Sequence, residues 1–164
     1  MRIGEDIVMH DGLTGLYRRE EALRRGSKAI KNALKKGHDI SVVIIDLDDL
    51  KAINDSKGHC EGDLLLKKLG ALIGDGCREG DNDRESDVCG RYGGDEFIIV
   101  MPGSSEDGAS LFISRIRRRA EAVGVRFSYG IAGVRPGVTF QAAVKSADKA
   151  MYEDKRSRRV SGDQ

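Results

Sequence analysis

The run Ile40-Ser41-Val42-Val43-Ile44-Ile45 constrains this chain more than any other stretch. It is short, β-branched and without polar alternation, the signature of a strand buried on both faces. Such a strand needs apolar layers packed on it, so the chain must supply helices to cover a sheet. The run ends abruptly in Asp46-Leu47-Asp48-Asp49, which sets carboxylates at the end of a buried strand.

The rest of the chain supplies the cover. Residues 1–15 are polar, carry several glycines and read as a lead-in. From Leu16, a stripe of Leu23, Ile30, Ala33 and Leu34 predicts a helix that stops near Gly37. Leucines at 64, 65, 66, 69 and 72 predict a second helix over residues 62–73. Residues 74–86 are glycine-rich and charged and read as a loop. Apolar runs at 88–91 and 97–101 flank Tyr92-Gly93-Gly94-Asp95, and adjacent glycines between such runs signal a β-hairpin. A helix over 106–123, a strand over 125–132 and a helix over 140–155 complete the order. The expectation is an α+β fold with a ferredoxin-like βαββαβ core, a central, mainly antiparallel sheet, and an extra helix at each end.

Composition narrows the function. In 164 residues, 28 Lys and Arg stand against 27 Asp and Glu, a net charge of +1. A chain that grips nucleic acid through its phosphates carries a basic excess, so no nucleic-acid partner is expected and any phosphate chemistry must be local. Cys60, Cys77 and Cys89 are odd in number and lack CxxC spacing, so they read as free thiols, as suits a reducing cytosol. No stretch approaches the roughly 20 apolar residues that span a bilayer, which fits a cytoplasmic chain without membrane contact, or the cytosolic end of a membrane-bound parent. His10, His38 and His59 form no HxxxH pair and offer no metal site.

Chemistry concentrates in acids. Asp46 ends the first strand, and Asp95 and Glu96 occupy the hairpin tip. The two places are neighbours in a ferredoxin-like sheet. Clustered carboxylates repel unless a cation sits among them, and hard oxygen ligands select magnesium. Acids at strand ends are also ordinary turn residues, and Gly93 and Gly94 either permit the turn or let a triphosphate approach the backbone.

The segment Arg91-Tyr92-Gly93-Gly94-Asp95-Glu96-Phe97 resembles the signature of the GGDEF family of diguanylate cyclases. Further pieces agree in order. Asp11-Gly12-Leu13-Thr14-Gly15-Leu16 is similar to DxLTGL. Asp46-Leu47-Asp48 with Lys51 and Ile53-Asn54-Asp55 is similar to DxDxFKxxND. Gly58-His59 and Gly62-Asp63 follow as in GHxxGD, Ser128-Tyr129-Gly130-Ile131-Ala132 as in SxGIA, and Ala147-Asp148, Ala150-Met151-Tyr152 and Lys155 as in the terminal ADxALYxAK helix. The resemblance implies one domain over residues 11–160, with 1–10 as its lead-in.

It also implies a reaction and a site. Two GTP molecules condense into cyclic di-GMP and release two pyrophosphates, each α-phosphate being attacked by the other nucleotide's 3′-hydroxyl. Two Mg2+ ions, with Mn2+ as a substitute, would be held by Asp46, the Leu47 carbonyl, Asp95 and Glu96. Asn54 and Asp63 match the guanine readers; the residues alone also allow Asp63 to be a helix N-cap. Lys155 and Arg159 match the triphosphate pair. Since each domain holds one GTP, a homodimer is implied, at least transiently. Arg84-Glu85-Ser86-Asp87 matches an inhibitory RxxD motif at which cyclic di-GMP binds as product; the basic run 115–119, ordinarily a solvated helix face, could complete that site. Family members usually also carry a sensor or receiver domain.

The sequence leaves the family pattern at Arg18, Leu50, Lys57, Asp154 and Arg158-Arg159-Val160. An acid at 154, beside Lys155, is expected to weaken the phosphate grip. Two other functions compete: a catalytically silent module that binds GTP or cyclic di-GMP, and a cyclase with a different nucleotide product. The intact acids and glycines oppose the first, and Asp63 opposes the second.

Overall fold

Strand β1, Ile40–Leu47, is buried at every position, as its β-branched run requires. A computed structural model describes residues 9–80 and 85–161, the last three by backbone alone. In chain order its elements are α1 (Arg19–Lys35), β1, α2 (Leu50–Lys57), α3 (His59–Gly76), β2 (Val88–Arg91), β3 (Glu96–Pro102), α4 (Glu106–Ala122), β4 (Phe127–Gly133) and α5 (Phe140–Ser161). The sheet is antiparallel throughout, in the order β2-β3-β1-β4. This is the expected α+β, ferredoxin-like arrangement.

Side-chain alternation along the strands assigns the two layers. Val43, Ile45 and Leu47 join Phe97, Ile99 and Phe127 in a core with residues of α3 and α4. Val42 and Ile44 join Ile98 and Val100 in a second core with residues of α1 and α5. The helices inside the βαββαβ unit thus cover one face, and the two terminal helices cover the other.

Local chemistry sets the ends. Gly37, at φ +70°, terminates α1, and its amide and that of His38 bond back to Leu34 and Ala33. Ser105 caps α4 by accepting from the Gly108 amide at 3.3 Å, ahead of Glu106 and Asp107 in the first turn.

The structure departs from the sequence expectations in four places. α2 exists as a separate eight-residue helix with no buried residue, so no apolar stripe announces it. Gly58, at φ +88°, divides it from α3, which begins at His59 and runs on to Gly76, into the expected loop. The reading of 1–15 as a lead-in, made on composition, gives way where the domain implied by the resemblance begins, at residue 11: the Tyr17 amide donates to the Cys89 carbonyl at 3.1 Å, and the Arg91 amide to the Tyr17 carbonyl at 2.9 Å, covering the open edge of β2. Finally, Cys77 and Cys89 are disulfide-bonded, and Cys60 alone is free. The expectation of three free thiols failed because spacing along the chain does not show that the end of α3 lies against β2. Among the described residues, no helix is long and apolar enough to cross a membrane.

Candidate active site

The ladder between β1 and β3 sets Asp46 directly opposite Glu96. The Leu47 amide donates to the Asp95 carbonyl at 2.9 Å and closes the ladder at the hairpin. The acids expected to meet therefore do meet, at the ends of adjacent strands. Asp46 is only 6% exposed. Burial pushes its carboxyl above the usual carboxylate range; a hydrogen bond from Lys155 opposes this, and the charges of Asp95 and Asp48 add to it. Burial likewise raises the Glu96 carboxyl, reinforced by Asp46, Asp95 and Asp148. This crowding of negative charge is what a bound cation would relieve.

Lys155, from α5, supplies one cation already, as an ion pair with Asp46. Among the described residues, no three His, Cys, Asp or Glu side chains form a ready-made metal cage. Three carboxylates and the Leu47 carbonyl would still suit magnesium, which takes its remaining ligands from water and phosphate.

The hairpin is present, but its glycines serve another purpose than the turn. Neither Gly93 nor Gly94 has positive φ. A Cβ on Gly93 would lie 2.6 Å from the Glu96 carboxylate, whereas one on Gly94 would meet nothing within 4 Å. Gly93 leaves room for Glu96, and the space beside Gly94 is open. Arg91 braces the tip: it donates to the Gly94 carbonyl at 2.7 Å and pairs with Asp11 at 3.2 Å. Partial burial raises the Asp11 carboxyl, but hydrogen bonds from Thr14 and the charge of Arg91 outweigh it and hold it below its ordinary value. Sequence reasoning noted Asp11 within a motif and assigned it no role.

Asn54 stands over Gly62, where a Cβ would overlap its amide oxygen. Among the described residues that buried oxygen has no hydrogen-bond partner. Asp63 is the next residue along and is exposed. It lies inside α3, whose N-cap is Gly58, so the N-cap alternative fails. Between β1 and α2, Asp49 adopts the left-handed conformation at φ 59° and gives α2 no side-chain cap, leaving its first-turn amides as donors.

Asp154 does not compete for Lys155. Its Oδ2 accepts from the Tyr129 amide at 3.2 Å and pairs with Arg117 at 3.3 Å and Arg158 at 3.4 Å. The expected weakening has no basis in this geometry. Arg159 matches the second phosphate ligand by position, but its side chain lies outside the described residues.

The inhibitory motif is described only in part, because Arg84 lies outside the described residues. Asp87 is 8% exposed, and its Oδ2 accepts from the Arg78 amide at 2.9 Å and faces the Arg78 guanidinium at 3.4 Å. Arg78 also bonds Ser104. Arg78, Ser104, Phe112, Arg115 and Arg118 line an open pocket of about 470 Å³, which brings the basic run of α4 beside this motif.

Comparison with known proteins shows the family and the fold. The family model "Diguanylate cyclase, GGDEF domain" matches residues 8–161. The diguanylate cyclase DosC of Escherichia coli K12 is 35% identical over 166 residues, covering 93% of this chain and 35% of that protein. The probable diguanylate cyclase DgcJ of the same organism is 32% identical over 152 residues, covering 90% and 29%. The chain therefore spans about a third of the length of these curated relatives. The GGDEF domain of DgcB from Caulobacter crescentus, solved in complex with c-di-GMP, superposes with a TM-score of 0.82 at 25% identity, covering 96% of this chain and 91% of that one.

Proposed function

The chain belongs to the GGDEF domain family, and from that premise we propose that it is a diguanylate cyclase, joining two GTP molecules into cyclic di-GMP with release of two pyrophosphates. The observation that carries the reading is the placement of Asp46 opposite Glu96, with Asp95 tied to the same strand end.

Each residue has a part in binding and orienting one GTP. Asp46, the Leu47 carbonyl, Asp95 and Glu96 would hold two Mg2+ ions, which Mn2+ could replace. When bound, these ions supply charge neutralisation on the triphosphate and lower the pKa of the 3′-hydroxyl. Lys155 would leave Asp46 for the phosphates, with Arg159 as a second ligand. The α2 amides add backbone donors to a phosphate. Asp63 accepts the N1–H and 2-amino group of guanine, and the buried Asn54 oxygen accepts a further donor. Adenine has neither of the groups Asp63 reads, so ATP would leave that acid poorly paired. Each 3′-oxygen bonds to the other nucleotide's α-phosphorus as the bond to pyrophosphate breaks. Two domains must therefore face each other, and a symmetric dimer completes the site. Product would inhibit through Arg84 and Asp87, and a sensor or receiver domain would set dimer formation in the whole protein.

A silent GTP- or cyclic di-GMP-binding module is the second reading. The Lys155–Asp46 pair, which engages one of the metal-site acids, is the observation that favours it. Product analysis in GTP–ATP mixtures, for the parent and Asp63→Ala, tests base choice. The cyclase reading expects cyclic di-GMP alone from the parent and relaxed choice from the variant. Mixed adenine–guanine products from the parent would overturn the assignment of Asp63.

A further inference from the structure

Asp154 and Arg158, two of the positions where the sequence leaves the family pattern, meet in space. They are one turn apart on α5, with Arg158 Nε 3.4 Å from Asp154 Oδ2. Asp154 is a fixed post, because the same oxygen accepts from the Tyr129 amide of β4 and pairs with Arg117 of α4. Anchored there, the Arg158 guanidinium extends to the end of β1, where Nη1 stands 3.7 Å from Asp48 Oδ2. Asp48 is itself held, accepting from Ser128 Oγ at 2.7 Å. Three residues earlier on α5, and so on the same helix face, Lys155 reaches Asp46. One helix thus sets two cations on the two acids of Asp46-Leu47-Asp48.

The Arg158 contacts are loose. At 3.4 and 3.7 Å, both ion pairs exceed the 2.7–2.9 Å of a charge-assisted hydrogen bond. A third of the side chain is exposed. A guanidinium carries five N–H donors in a planar fork, and phosphate oxygens suit that fork well. A polyphosphate arriving beside Lys155 would outbid a carboxylate at 3.7 Å for these donors.

We propose that Arg158 is a phosphate-binding residue of the nucleotide site and that Asp154 is its positioning residue. The proposal rests on the reading that the site takes GTP. It explains why an acid at 154 and an arginine at 158 occur together: the acid sets the guanidinium at the phosphate end of the site and leaves Lys155 unopposed.

The test is equilibrium binding of GTP and GMP, in MgCl2, to the whole chain and to Arg158→Ala, Arg158→Lys and Asp154→Asn, with unfolding curves for each. Arg158→Ala should lose about tenfold or more in GTP affinity, the scale of one charge-assisted contact, and should bind GMP within about threefold of the parent. Arg158→Lys should recover part of the loss. Asp154→Asn should weaken GTP less than Arg158→Ala, again sparing GMP. Arg158→Ala binding GTP as the parent does, or losing GTP and GMP equally, would make Arg158 a structural tie of α5 and overturn the proposal. A parent chain that binds neither nucleotide would overturn the GTP reading itself, a different and separately visible failure.

Discussion

Replacing Gly62 with alanine separates nucleotide recognition from stability. Gly62 lies in α3 beneath Asn54. An added Cβ would overlap the Asn54 amide oxygen and lie 2.9 Å from both Asn54 Cγ and Leu50 Cδ1. These are the ends of flexible side chains, so the backbone can stay while the Asn54 amide swings aside. Alanine gains ~0.5–1 kcal/mol of helix propensity over glycine, and overpacking costs ~1–3 kcal/mol. The net loss of stability is then about 0–2.5 kcal/mol. Recognition loses more selectively. Among the described residues the buried Asn54 oxygen has no partner, and losing the proposed bond to a guanine donor would cost ~1–3 kcal/mol, or roughly 5- to 150-fold in GTP affinity. Urea unfolding and GTP titration of one preparation read both quantities. Adding Asn54→Ala to Gly62→Ala should change GTP affinity little further, because the amide is already displaced. Unchanged GTP affinity in Gly62→Ala would refute the placement of Asn54 in the guanine site.

Gly130→Ala acts on stability instead. Its Cβ would overlap the Ala147 carbonyl oxygen and lie 2.9 Å from the Ala150 carbonyl carbon, backbone atoms that cannot turn aside. A loss of about 3 kcal/mol is expected in urea unfolding, and parent-like stability would contradict the packing of α5 on β4. A hydrogen bond from Arg24 holds the Glu21 carboxyl down to about 2, against desolvation and with help from Arg25, from an ordinary value of 4.5. The unfolded chain therefore binds more protons between those values, so this contribution to stability is full above pH 4.5 and is lost as pH falls toward 2. Glu21→Gln should flatten that part of the acid limb, and an unchanged limb would show that the pair contributes nothing. In denatured, unreduced protein one thiol, Cys60, should react with a thiol reagent, rising to three after reduction; three before reduction would contradict the Cys77–Cys89 bond.

What the sequence disclosed follows from how local each signal is. The buried strand at 40–45 and the helix stop at Gly37 depend on neighbouring residues, and both were legible. Asp46 was legible as a candidate because an abrupt switch to acid after an apolar run is itself local, and Asp95 and Glu96 because they follow paired glycines at a hairpin tip. Their register, Asp46 on Glu96, and the ion pair to Lys155 arise from long-range pairing that periodicity does not carry. The disulfide was hidden for the same reason, since only the fold brings the end of α3 to β2. The glycines of the hairpin misled in part: positive φ is the usual reason for adjacent glycines in a turn, whereas here the reason at Gly93 is room for the Glu96 carboxylate. Asp11 and Arg91 pair across 80 positions of the chain, and no spacing rule joins residues so far apart.

The most direct test of the central claim is to incubate the purified chain at high concentration with GTP and MgCl2 and identify products by mass spectrometry, beside Asp95→Ala. The account predicts cyclic di-GMP and pyrophosphate from the parent and neither from the variant. No product from a parent that still binds GTP would contradict the cyclase and leave a binding module, and equal product from Asp95→Ala would remove Asp95 from the metal site.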